Sequence, residues 1–249
     1  MSFILALALS NAYDLAPLSV PRKTVLFFPV QVSYCDPLPV DLYTCFSSCI
    51  ENSNVNFQRS SGNVEQDIAL LTESINRNES ITLLSHSTGI NNLMKVCDFD
   101  PIEHVVLVDP ILLKKSSDRF VFDGDWEDTI SEFIESNKFD MVKSTLFGDK
   151  KNKKIDPTFG SSNKVTYISS KKSARWKIIP PVPPVKRFFM DYNNIKHKNK
   201  KFVSIPEYGH FDILDQKWAD AIHNSISKGS KNRDDVCKYH QEIAHIVNE

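Results

Sequence analysis

The chain has 249 residues, enough for one sizeable core and for one domain or at most two. With 41% hydrophobic and 24% charged residues it has the composition of a folded globular chain, not of a disordered one. A formal net charge of −1 leaves no global field to draw it to nucleic acid or an acidic membrane, and neither partner is expected.

Basic residues cluster at 150–154 and 196–201, which read as solvated loops first and as binding patches second. No run approaches the ~18 apolar residues of a bilayer span, so none is expected. The first apolar block, FILALAL at 3–9, precedes Ser10-Asn11-Ala12. Two readings of it stand: a signal segment cleaved after Ala12, or a first strand or anchoring segment. The first implies a plastid or secretory route, the second a cytoplasmic location. Asn78-Glu79-Ser80 is a glycosylation triplet of a kind that arises often by chance.

In chain order, TVLFFPV at 24–30 is a continuous apolar run bounded by charge, which predicts a strand buried on both faces. Pro37 and Pro39 mark the loop after it. Leu42, Cys45, Phe46 and Cys49 fall at helical spacing and predict a covering helix over 41–50. A short strand is expected at 55–57, then a helix from Ser61 to Ile75. ITLLS at 81–85 is the next buried strand, HSTG a turn, 90–97 a helix and VVLV at 105–108 another strand. That order is a βαβ unit. The pattern continues with a helix at 126–139, a polar loop or insertion at 149–163 and strands at 165–168 and 201–205. PPVPP at 180–184 fits neither a helix nor a central strand. A helix at 216–227 closes the domain, and a polar helical tail follows over 229–249. The sum is one α/β domain over 23–228 after an N-terminal segment, 1–22, with a mostly parallel sheet and helices on both faces.

The five cysteines, Cys35, Cys45, Cys49, Cys97 and Cys237, are odd in number and lack CxxC spacing. They predict neither a zinc site nor a disulfide framework, and one bridge among the early cysteines fits only a secreted chain.

The segment ITLLSHSTG carries the most chemistry. A strand running into a tight turn and then a helix lifts Ser87 out of the sheet, as a nucleophile elbow does. The positions two before and two after must be small, and they are Ser85 and Gly89. The N–H of Thr88, at the start of the helix, is a candidate oxyanion donor. A second donor is expected from Val30 or Gln31, after the first strand. An unassisted serine hydroxyl is a weak nucleophile and needs a base. His210, after the last strand in PEYGHFDILD, is placed for that role. His86, His104, His197, His223, His240 and His245 read as ordinary surface histidines. The residues after 165–168 are Ser169-Ser170-Lys171-Lys172, with no carboxylate. Asp109, at the end of 105–108, is therefore the candidate acid, with Asp123 and Asp125 in reserve.

Three segments resemble plant and algal chlorophyllases and related dienelactone-hydrolase-like and polyester-hydrolase-like α/β-hydrolases. Ser85-His-Ser-Thr-Gly89 is similar to the G-H-S-R-G-G box, and Leu107-Val-Asp-Pro-Ile111 to the strand ending in the catalytic aspartate. Glu207-Tyr-Gly-His-Phe-Asp-Ile-Leu-Asp215 is similar to the Y-G-H-M-D-x-L-D stretch around the catalytic histidine. The resemblance runs in order from about Thr24 to Trp218. It implies an α/β-hydrolase fold with a lid or insertion region and a cofactor-free carboxylesterase acting through Ser87, Asp109 and His210. Its substrate would be an apolar ester, in the family the phytyl ester of chlorophyll. The sequence departs from the box at Ser85, Thr88 and Ile90, and the His-Gly of the oxyanion strand is missing. A broad lipid esterase, lipase or thioesterase, or a catalytically silent binding fold, remain the alternatives. The lid and pocket are expected between Pro110 and Phe189, with Trp126, Phe133, Phe139, Phe147 and Trp176.

Overall fold

The computed structural model describes residues 23–30, 40–51, 53–58, 69, 72–73, 80–94, 102–110, 159, 162–170, 192–225 and 233–249. Six strands form one parallel sheet: β1 (Lys23–Phe28), β2 (Ser53–Phe57), β3 (Ile81–His86), β4 (Ile102–Val108), β5 (Lys164–Ser170) and β6 (Lys200–Ile205). Their order is β2-β1-β3-β4-β5-β6.

The apolar runs alternate between two cores. Val25 and Phe27 of β1 face one side with Leu84, Val106 and Ile168, while Leu26 and Phe28 face the other with Leu83, Leu107 and Tyr167. Covering both faces is why these strands read as unbroken apolar stretches. The first core is closed by α3 (Gln216–Ser225) and α4 (Arg233–Asn248), through Trp218, Tyr239, Ile243 and Val247 among others.

The helix expected over 41–50 divides into a 3-10 turn, Val40–Tyr43, and α1, Thr44–Ser48. Tyr43 stands at the junction with a non-helical φ of −127° and is buried. After β3 come a 3-10 turn, Ser87–Gly89, and α2, Ile90–Leu93.

Within the segment expected as a polar tail, Arg233–Asn248 is a helix with a buried face. Tyr239, His240, Ile243, Ala244 and Val247 are buried, at helical spacing that its many polar residues mask. The far end of α4 is held at the amino ends of the strands. Lys23 Nζ donates to the Val247 carbonyl at 2.9 Å, and Lys164 pairs with Glu249 at 2.9 Å. Cations there complement the negative pole of the helix. Cys45, Cys49 and Cys237 are free thiols. Among the described residues no helix is long and apolar enough to cross a membrane.

Between β1 and β3 the chain reverses its direction of travel across the sheet. In open parallel sheets the ligand crevice lies at such a switch point, outside the carboxyl ends of the strands. The register aligns those ends: Phe28 with Ser85, Ser85 with Leu107, Val108 with Ile168 and Ser170 with Ile205.

Candidate active site

Ser87 follows β3 directly, at the switch point, with a φ of 54°. Positive φ in a side-chain-bearing residue costs about 1–3 kcal/mol and persists only where surroundings impose it. Here Ser85 is fully buried behind it, and Gly89 ahead of it lies against the end of β1. Asp109 follows β4 with a φ of 43°, a conformation that aspartate tolerates better than most residues. His210 follows β6 in a turn closed by Asp212, whose Oδ2 accepts the Gly209 N–H at 2.7 Å.

These three strand ends bring three side chains together. His210 Nε2 lies 2.9 Å from Ser87 Oγ, and His210 Nδ1 lies 3.6 Å from Asp109 Oδ2. All three residues are buried, with exposures of 2% for Ser87 and His210 and 0% for Asp109. The other carboxylate oxygen, Asp109 Oδ1, accepts the Ser170 N–H at 2.7 Å. Ser170 is the last residue of β5, and its backbone donates to the carboxylate that follows β4. Its hydroxyl meets Tyr239 Oη at 2.6 Å. Burial, with the nearby Asp109 charge, pushes the Tyr239 phenol well above its ordinary pKa, so it stays protonated.

The loop that carries His210 is fastened at several points. The Asp215 N–H donates to the Leu42 carbonyl at 2.7 Å, and Asp215 Oδ1 accepts the Cys45 N–H at 2.8 Å. His240 Nε2 donates to the Asp212 carbonyl at 2.8 Å.

The expectation of surface histidines is corrected for three of them: His86, His104 and His240 are buried, at 0%, 3% and 2% exposure. His245 is exposed, and nothing is described of the His223 side chain. His86 bridges Tyr43 Oη, 2.8 Å from its Nδ1, and the His210 carbonyl, 2.9 Å from its Nε2. Its ring lies 4.8 Å from that of His210. Burial first, and then repulsion from His210, hold His86 neutral. Neither Tyr43 nor His86 was singled out by local pattern, because their partners lie far along the chain.

Val30 is one of the two residues expected to supply the second oxyanion donor. Its N–H donates to Tyr43 Oη at 3.1 Å and is committed there. Gln31, Asp123, Asp125 and the aromatic residues expected to line the pocket lie outside the described residues. Thr88 lies in the turn after Ser87. Among the described residues no group of three or more His, Cys, Asp or Glu could hold a metal ion.

No protein-family model matches the chain, and no curated protein matches it. Solved structures do. One is a Staphylococcus aureus protein of unknown function, 12% identical, TM-score 0.53, covering 92% of this chain and 89% of its own. Another is a monoacylglycerol lipase of Paleococcus ferrophilus, 14% identical, TM-score 0.46, covering 91% and 94%. A third is an α/β hydrolase enzyme from the sediment metagenome of the Mar Chica lagoon, 12% identical, TM-score 0.47, covering 81% and 89%. At such identities a likeness concerns the fold alone. The parallel sheet, its switch point and the serine turn after β3 are those of the α/β-hydrolase fold.

Proposed function

We propose that this chain is a serine hydrolase of carboxylic esters, with Ser87 as nucleophile, His210 as general base and acid, and Asp109 orienting His210. The observation that carries the reading is the 2.9 Å contact between Ser87 Oγ and His210 Nε2, on a strained turn at the switch point of the sheet.

The chemistry follows from that contact. Ser87 Oγ attacks the ester carbonyl carbon as its proton passes to His210 Nε2. The resulting oxyanion is held by the Thr88 N–H, with Gln31 as the remaining candidate for the second donor. Collapse breaks the carbon–oxygen bond, and the leaving alcohol takes the proton from His210. Water then gives a proton to His210 and attacks the acyl carbon; the bond from that carbon to Ser87 Oγ breaks, Oγ takes the proton back from His210, and the carboxylic acid leaves. Asp109 stabilises the imidazolium in both halves, and the 3.6 Å separation has room to shorten as that charge forms. No cofactor enters these steps.

The substrate class we propose is an apolar ester, with a chlorophyll-type phytyl ester as the specific candidate from the resemblance of the three site segments. Hydrolysis of that ester in preference to simple acyl esters and thioesters would support it, and the reverse preference would move the assignment to a broad lipid esterase. A silent binding role is favoured by one observation, the commitment of the Val30 amide to Tyr43. A fluorophosphonate probe separates the two, since only an activated serine labels. Labelling of the wild type and none of Ser87→Ala is expected; an unlabelled, folded wild type would leave the silent reading.

A further inference from the structure

Two buried polar side chains near the site take no part in those steps. Tyr43 comes from the junction before α1, and His86 is the last residue of β3. Both are inside the molecule, at 1% and 0% exposure. The polarity of their contacts can be read one bond at a time. A carbonyl oxygen only accepts, so the His86 nitrogen facing the His210 carbonyl, Nε2, carries the hydrogen. His86 is neutral, so its Nδ1 is an acceptor. Tyr43 Oη therefore donates to Nδ1, and its lone pair accepts the Val30 N–H. Burial raises the Tyr43 phenol, which keeps that hydrogen in place.

We propose that Tyr43 and His86 are positioning residues: a one-directional chain from the Val30 N–H through Tyr43 Oη–H to His86 Nδ1, and from His86 Nε2–H to the His210 carbonyl. The chain ties the backbone after β1 to the backbone of the base itself, and His86 is the covalent neighbour of Ser87. Three strand ends are set against one another by two side chains. The same chain fixes what His86 can do. Its only hydrogen is spent on the His210 carbonyl, so it cannot donate to Ser87 or compete with His210 as base.

This inference rests on the hydrolase reading, and the test separates the two. The full chain is labelled with a fluorophosphonate probe, recording both the rate and the final extent, for the wild type, Tyr43→Phe, His86→Gln and His86→Leu. Tyr43→Phe is expected to label to the same final extent about tenfold more slowly, the scale of one lost hydrogen bond. His86→Gln keeps an amide N–H to offer the His210 carbonyl and should label faster than His86→Leu. A lower extent with an unchanged rate would mean a merely structural role and overturn the proposal, as would a wild-type rate in Tyr43→Phe. An unlabelled wild type would overturn the hydrolase reading instead. Imidazole ¹⁵N spectra give a readout independent of activity: the signals lost in His86→Gln should report hydrogen on Nε2, and hydrogen on Nδ1 would overturn the chain.

Discussion

Gly89 sits so near the end of β1 that a Cβ on it would lie 2.1 Å from the Phe28 carbonyl oxygen and 2.5 Å from that of Pro29. The need is for space and not for an unusual backbone, since its φ is −56°. The obstacle is main chain, which cannot rotate aside as a side chain can. Gly89→Ala should destabilise the protein by about 3 kcal/mol, as overpacking of a rigid site does. The denaturant midpoint checks this, and an unchanged midpoint would show that β1 can move away from the turn.

Asp109→Asn should leave the fold largely intact while lowering kcat by up to ~10⁴-fold. Asparagine tolerates the positive φ at this position and can still accept the Ser170 N–H. Its amide nitrogen would then face His210 Nδ1, favouring the tautomer that puts hydrogen on the nitrogen next to Ser87. Thermal unfolding and steady-state kinetics on one preparation test both halves, and near-normal turnover would remove Asp109 from the mechanism.

Acid should weaken the fold through the buried histidines. Burial pushes His86, His104 and His240 below the ordinary histidine pKa, His104 to about 3. In the unfolded chain each titrates near 6.5. Below that pH the unfolded chain takes up protons that the folded chain refuses, so this stability is present above about 6.5 and lost as pH falls. The slope is about 1.4 kcal/mol per pH unit for each histidine. Urea midpoints at a series of values from pH 7.5 to 5.5 should decline; a flat series would mean that these histidines protonate inside the fold.

Asp212→Ala should loosen the loop that carries His210. It removes the acceptor of the Gly209 N–H, a buried bond worth about 1–2 kcal/mol. Probe labelling should slow even where the protein remains folded, because Gly209 precedes His210. Asp212→Asn retains an acceptor and should recover much of the rate; equal rates in the Ala and Asn variants would show that the turn holds without this bond.

The inner strands β1, β3, β4 and β5 were legible because they are buried on both faces, and ITLLS or VVLV has little else to be. Their bounds shift by a residue or a few, as at Ile102–Val108, where Glu103 and His104 interrupt the apolar run. Ser87, Asp109 and His210 could be named because each follows a recognisable strand, and the carboxyl ends of parallel strands share one edge. Helix α4 was not legible as core. Its buried face includes Tyr239 and His240, whose polar atoms disguise rings that pack inside. Nor was the pairing of Tyr43 with His86, since no local periodicity records a contact between residues 43 apart. The division of 41–50 into two pieces has the same origin: Tyr43 leaves helical geometry where it meets that distant partner.

The Ser87–His210 contact joins residues 123 positions apart, and Ser170 meets Tyr239 across 69. Contacts of such span form slowly in folding, because each needs a long stretch of chain to close first. Until the third, fourth and sixth strands are all in place, residue 87 is one hydroxyl among many. On the proposed mechanism its reactivity would mark the end of assembly, and a serine-directed probe added during refolding would count completed molecules directly.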